Sequence, residues 1–480
     1  MSSRELQFRF RRDALLGLCG ILLFYIVIRS SNLLGKAGYP SILFSSIILV
    51  GCQMYIIRLY GLISIPSMFT ALFTYPALIP FLGDYLFQTK NYTLRAIPYE
   101  NEAHVQKVLF FLVIFISAFV VTLGVLKTEL NSNQTDTDPV GLQKNIPAFT
   151  VVAIVNLFAA YLTTPGPTIL TADYVTVLNA WFPWAAFAGA LYLGTWAMLY
   201  LMSRGEAMDS WYYRMLLVVS LVGVLWLLLH ARRNETMGVL TMLLIDYFAR
   251  RSRSEKKLPG FFLKGVLLTA VVLSGFLAGK LRGSGGVFEG SIRELFIATG
   301  APGTYVAPPG SPHNIFGTTL AVVDIFGKET PNLFGMTFLY YLPQGIPSGV
   351  YAIFGLPFPT LMHDVIGRHY EAYNGGNYIA NPYYANFGEA GLLFGAIVLG
   401  FLVYFAHRQI INKSNTTFLT GVAVILVVAG FRASWYTQLN WIDNLEGFLV
   451  GYLIYVVSIN LVEKRNSIPI IQNITNGQKS

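Results

Sequence analysis

Six arginines supply the first chemical signal in this chain. Arg232 and Arg233 stand side by side at the end of one apolar segment, and Arg432 stands beyond the end of another. Arg282, Arg293 and Arg368 are spread along a polar stretch between them. A guanidinium presents a planar fork that matches two phosphate oxygens at once. Two adjacent positive side chains repel unless something anionic sits beside them. The structural alternative for each arginine is a long side chain whose head reaches water from a helix end. The same polar stretch holds His313, His363, His369, Asp364, Glu371 and the tyrosines Tyr305, Tyr340, Tyr341, Tyr351, Tyr370, Tyr373, Tyr378, Tyr383 and Tyr384. Aromatic faces among Arg, Asn and acidic groups suit sugar rings, whose apolar faces stack and whose hydroxyls need partners. Taken singly, each tyrosine is better explained as an amphipathic ring at a membrane–water boundary.

The elements that must hold these groups are membrane helices. Hydrophobic residues make up 54% of the 480 residues and charged ones 12%, against roughly 25% charged in soluble domains. So few charges cannot cover a protein of this size in water, and lipid must be part of its solvent. The apolar residues fall into blocks at 14–28, 41–57, 62–82, 108–126, 146–162, 180–202, 215–229, 236–248, 261–279, 386–406, 418–431 and 447–462. Their lengths approach those needed to cross a hydrocarbon core of ~30 Å. The weakest is 236–248, which follows Arg232-Arg233-Asn234-Glu235 and contains Asp246.

Lysine and arginine set the orientation, because positive flanks stay cytoplasmic. With both termini inside, most of the 33 basic residues lie on the cytoplasmic side, including the run from Arg250 to Lys257. The fold class expected is all-α, a polytopic transmembrane helix bundle of about twelve spans, N-in and C-in. Residues 1–279 form an N-terminal membrane block of about nine helices. Residues 280–385 form one large outer loop with short helices, and 386–480 form three closing helices and a short tail. Loops this long usually carry function. Within it, 333–359 is uncharged and long enough to cross, but Pro343, Gly345, Pro347 and Gly349 interrupt it. Freed backbone groups cannot be satisfied in lipid, so an interfacial or re-entrant element is expected there.

Several chemistries are disfavoured. Cys19 and Cys52 both fall in apolar segments, which predicts neither a disulfide framework nor a thiolate metal site. His363 and His369 lie six apart with Asp364 between, matching no zinc spacing. No Walker A lysine loop is present. The net charge of +9 is explained by membrane topology rather than by nucleic acid, since the bases are not interleaved with aromatics. The basic start, Arg4 to Arg12, followed by 14–28, reads as a retained first helix rather than a cleaved signal. No metal, cofactor or nucleic-acid partner is expected.

The end of the large loop carries a resemblance. Leu342-Pro343-Gln344-Gly345-Ile346-Pro347, then Leu356-Pro357-Phe358-Pro359, then Tyr383-Tyr384-Ala385-Asn386-Phe387-Gly388-Glu389-Ala390-Gly391 entering a helix, resembles the Wzy-type oligosaccharide repeat-unit polymerases of bacterial inner membranes. Those enzymes show a P-x-x-I-P element, a Pro-rich bend and a Y-x-N-F-G-x-x-G entry to the next helix. Arg232-Arg233-Asn234-Glu235 before a short apolar segment and a basic run is similar too. This chain has Ser348 after Pro347, where many relatives carry an arginine.

The resemblance implies a GT-C-type glycosyltransferase of the bacterial inner membrane with its active site facing the periplasm. Its partners would be undecaprenyl-pyrophosphate-linked oligosaccharides as donor and acceptor, membrane lipid, and a chain-length regulator. A departing diphosphate is stabilised most readily by fixed cations, and an acceptor hydroxyl needs a base within hydrogen-bond reach. The catalytic candidates are His313, Arg232, Arg293 and Glu389, with His313 ranked first as base because it follows the turn-rich Pro308–Pro312 stretch. The binding candidates are Arg233, Arg282, Arg368, Arg432, His369, Glu371, Tyr378, Tyr384 and Asn386. An O-antigen ligase acting on lipid A-core is a close alternative. A flippase of lipid-linked sugars is a distant one, since transporters place charges at mid-membrane on broken helices.

Overall fold

The computed structural model describes residues 3–30, 39–87, 102–129, 154–155, 237–242, 244–245, 263–264, 266, 312–326, 331–345, 351, 353–357, 377–411, 417–435 and 439–467. Among these residues the regular elements are all helical. They are α1 (Ser3–Ser30), α2 (Tyr39–Tyr60), α3 (Ile65–Phe87), α4 (Glu102–Glu129), α5 (Pro312–Ile325), α6 (Met336–Gly345), α7 (Asn381–Ile411), α8 (Thr417–Val428), α9 (Gly430–Trp435) and α10 (Leu439–Ser467). Three described helices contain stretches long and apolar enough to cross a membrane: Leu43–Tyr60, Lys107–Lys127 and Asn381–Ile411. The apolar blocks at 146–162, 180–202 and 215–229 lie outside the described residues but for a helical pair at 154–155. The weak block at 236–248 is helical at 237–242 and 244–245.

The α2–α3 hairpin shows how local chemistry sets the chain's direction. Gly61, at φ +92°, ends α2, and its N–H donates to the Ile57 carbonyl at 2.8 Å. Glycine reaches that conformation without a Cβ penalty. Ser64 then opens α3: its Oγ accepts the Ser67 N–H at 3.3 Å, and the Ser64 and Ser67 hydroxyls both donate to the Gly61 carbonyl. Removing a capping hydroxyl costs about 1 kcal/mol. Ser64→Ala is therefore expected to lower the thermal stability of detergent-solubilised protein by about that amount, a loss readable in its unfolding midpoint.

Helix α4 is the centre of the bundle. Val108, Phe111, Val113, Phe115, Ile116, Phe119, Val120 and Leu123 are all buried, and a helix apolar on every side belongs in a core or a membrane. Its longest partner is α7, which runs parallel to it. Phe111 meets Tyr384 at a ring separation of 5.2 Å, and the Thr122 side chain fills the space beside Gly400. Helix α5 is also buried on every side, from Ile315 to Phe326, against α3, α4 and α7. By contrast α1 turns Leu16, Leu23, Phe24 and Val27 outward. An exposed apolar stripe of that kind suits lipid rather than water.

One end of the bundle gathers basic residues. Lys127 of α4 sits 5.1 Å from the Tyr60 ring centre at the end of α2, and His407 of α7 meets the same ring edge-on at 5.1 Å. Leu15 of α1 and Tyr55 of α2 both lie against Gly124, so the start of α1, with Arg9, Arg11 and Arg12, shares this end. Helices α8 and α10 run antiparallel, with Phe418 against Tyr452 at 5.2 Å and Phe448 against Gly421. That arrangement carries Lys464 and Arg465 toward the end of α7 that bears Arg408.

Candidate functional site

Opposite the basic end, α7 breaks. Gly388 has φ 60° and ψ −143° inside the helical run, a conformation essentially reserved for glycine. In an unbroken helix, Tyr383 and Gly391 would stand about 12 Å apart along the axis. Instead the Tyr383 carbonyl lies where a Cβ on Gly391 would go, and the Tyr383 ring lies against Gly395. The first seven residues of α7 therefore fold back along its own long arm, and both glycines are needed for the approach. Asn386 was expected to begin this helix. The observed start is Asn381, because the break falls within the motif rather than before it.

Helix breaks free backbone groups, and these are satisfied from 50 residues upstream. The Leu333 and Phe334 N–H groups donate to the carbonyls of Ala385 and Asn386, both at 3.0 Å. Asn386 Oδ1 accepts the Gly335 N–H at 2.8 Å and the Thr337 N–H at 3.3 Å, capping α6. Its Nδ2 donates to the Pro382 carbonyl at 2.6 Å. The Asn386 side chain is fully buried and is committed to backbone on both its atoms.

An aromatic wall lines the turn. Phe338 of α6 packs on Tyr383 at 5.0 Å and stacks with Phe387 at 6.4 Å, and Phe394 meets both of those rings edge-on. On the other side, Tyr384 leans on Phe111, and the Lys107 ammonium sits 5.3 Å from the Phe111 ring centre. Glu389 is exposed just past the break, within electrostatic reach of the Tyr384 phenol. A carboxylate there is also favoured by the N-terminal end of the long arm. The fold-back thus gathers a cation, a carboxylate and aromatic faces at one turn.

The arm leading into the turn is anchored by polar groups. The buried Tyr378 hydroxyl donates to the Phe73 carbonyl of α3 at 2.9 Å. Ile379 N–H donates to the Ser434 carbonyl of α9 at 3.2 Å, and Asn381 Nδ2 donates to Asn377 Oδ1 at 2.7 Å.

Of the candidates read from the sequence, Tyr384, Asn386 and Glu389 share this turn, and Tyr378 lies on the arm before it. Arg432 belongs to α9, two residues from the Ser434 that holds Ile379. His313, expected in a turn-rich loop, lies in the first turn of α5. Pro312 before it is suited to open a helix, since the N–H it lacks is one that a first turn leaves unpaired. Arg232, Arg233, Arg282, Arg293, Arg368, His369 and Glu371 lie outside the described residues. Sequence reasoning passed over Lys107, although a lysine opening an apolar block at the end away from the basic cluster was a visible signal. Comparison with protein-family models, curated proteins and solved structures finds no match for this chain.

Proposed function

We propose that this protein is a polymerase of lipid-linked oligosaccharide repeat units. It would transfer a growing undecaprenyl-pyrophosphate-linked glycan to an incoming lipid-linked unit at the periplasmic face of a bacterial inner membrane. In this reading the bundle has about twelve spans, its basic end faces the cytoplasm, as positive flanks do, and the Gly388 turn faces outward. The observation that carries the reading is that turn. It gathers Lys107, Tyr384 and Glu389 on a stable hydrogen-bonded frame at a membrane-helix entrance, in the segment that resembles the polymerases.

The chemistry is one substitution at a sugar carbon. The bond from the donor's anomeric carbon to its diphosphate breaks while a hydroxyl oxygen of the acceptor bonds to that carbon. Glu389, or else His313, takes the hydroxyl proton. Arg232, Arg293 and their neighbours Arg233, Arg282, Arg368 and Arg432, together with Lys107, receive the charge that develops on the diphosphate. Tyr384 borders the sugar site, with His369 and Glu371 as further hydroxyl partners, and Tyr378, buried with its hydroxyl on the Phe73 carbonyl, joins Asn386 in holding the frame. No cofactor is required.

The test is purified protein in liposomes given only the lipid-linked repeat unit. A ladder of lengths supports the polymerase, and no product without lipid A-core indicates a ligase. Lys107→Met is expected to lower kcat/KM about tenfold in this assay, the effect of one lost charge contact of about 1.4 kcal/mol. An unchanged value removes Lys107 from the site.

One observation favours a second reading. Transporters also build substrate sites on broken membrane helices, so the break in α7 at Gly388 lends weight to a flippase of lipid-linked sugars. Movement of labelled lipid across the liposome bilayer with no new glycosidic bond would select it.

A further inference from the structure

Residues 331–345 bear on one side against α10 and on the other against the Gly388 turn. Their tie to the turn is local: Leu333, Phe334, Gly335 and Thr337 donate to the two carbonyls and one side-chain oxygen described above. Phe334 itself stands at φ +45° and Gly335 at φ +90°. A phenylalanine in the left-handed region is strained, and such strain persists only where the surroundings impose it. Here the imposing groups are Ala385 and Asn386. The far end of α6 is held differently: the Tyr351 hydroxyl donates to the Pro343 carbonyl at 2.6 Å, and Pro343 lies inside the helix.

The outer side of this segment is apolar and open. Phe334 is 77% exposed, Met336 44% and Leu339 60%. Its inner side carries Phe338, which covers Tyr383 and Phe387. A segment that is greasy outside, strained at its attachment and seated over an aromatic wall has the construction of a door.

We infer that α6 is a strap latched to the Gly388 turn by Asn386, and that unlatching it opens a lateral passage from the bilayer to the aromatic wall. The passage would admit a substrate whose lipid tail stays in the outer leaflet while its polar head reaches the turn. This use of the strap rests on the proposed polymerase reading; the latch itself does not. Asn386 is then a positioning residue, buried and out of reach of any ligand. Phe334 biases the equilibrium toward opening, because release relieves its backbone. Phe334, Met336 and Leu339 keep the moving element solvated by lipid in both positions.

Thr337, 97% buried at the latch, reports the state of the strap as Thr337→Cys in a background carrying Cys19→Ala and Cys52→Ala. Reaction with a small thiol reagent in membranes should speed up at least about fivefold on adding Asn386→Ala, since labelling follows the population of the open form. Phe334→Gly should slow it, because glycine relieves the strain of the closed form. Equal rates in all three backgrounds would overturn the latch. If Asn386→Ala fails to fold, Phe334→Gly decides alone, and an unchanged or faster rate overturns the inference.

A second arm tests the use of the strap. Asn332→Cys, beside Gly388, and Ala390→Cys, exposed just past the turn, joined by a reducible cross-linker, should cut polymer formation at least about tenfold and recover on reduction. Full activity while cross-linked would overturn the passage and leave the polymerase standing. No polymer from the parent carrying only Cys19→Ala and Cys52→Ala would remove the polymerase reading while the labelling arm still judges the latch.

Discussion

Gly388→Ala is expected to abolish long polysaccharide while the protein still reaches the membrane. The space around the residue is adequate, since a Cβ would meet only Asn332 Nδ2 at 3.5 Å. The penalty is conformational: φ 60° with ψ −143° costs a residue with a side chain about 1–3 kcal/mol. An alanine there favours a continuous helix from Asn381 onward. Straightening α7 would carry Tyr383 away from Gly391 and Gly395 and strip Asn386 from α6. It would also turn Glu389 away from Tyr384. Gly61→Ala is the internal comparison. That residue is also at positive φ, +92°, with nothing within 4 Å, and its loss should cost about 1 kcal/mol of stability without altering the length of the product. Polysaccharide gels and protein blots of the two variants side by side check the pair.

Glu389→Gln should reduce the catalytic rate by about 10²–10⁴-fold, the usual contribution of a positioned acid or base, with protein levels unchanged. The carboxylate is exposed, begins the long arm of α7 and is near Tyr384. A purely structural part, an anion at a helix N-terminus, contributes about 0.3–1 kcal/mol. That part predicts slightly reduced stability and a nearly normal rate. The two roles separate cleanly when the unfolding midpoint and the rate are measured on one preparation. His313→Ala is the matched comparison: if it stops polymer formation while Glu389→Gln does not, the base lies on α5.

The three described helices long and apolar enough to cross a membrane were legible, because apolar blocks need no tertiary knowledge. The blocks at 14–28, 41–57, 62–82, 108–126, 386–406 and 447–462 each overlap a described helix, two of which begin well before the block, and 418–431 falls across α8 and α9. The Gly388 turn was not legible in shape, although its residues were singled out. Its geometry depends on hydrogen bonds from Leu333, Phe334, Gly335 and Thr337, and partners 50 residues away leave no periodic mark. Asn386 looked like a ligand-binding amide, but its polar atoms are occupied by backbone. The helix holding His313 was hidden by Pro308-Pro309-Gly310-Ser311-Pro312, which reads as a turn. Its apolar run is buried on all sides and so shows no amphipathic period. Lys107 carries a weaker mark in the sequence, since a single lysine lacks the phosphate fork of arginine, yet it sits beside the Phe111 ring that Tyr384 leans on.

A periplasmic site requires the broken end of α7 to face outward. Single cysteines at Glu389 and at Arg408, in the background lacking Cys19 and Cys52, can be challenged in intact cells with a membrane-impermeant maleimide. The expected result is labelling at 389 from outside and at 408 only after the membrane is permeabilised. Labelling at 408 from outside with 389 protected would put the Gly388 turn in the cytoplasm, where no exported glycan could meet it.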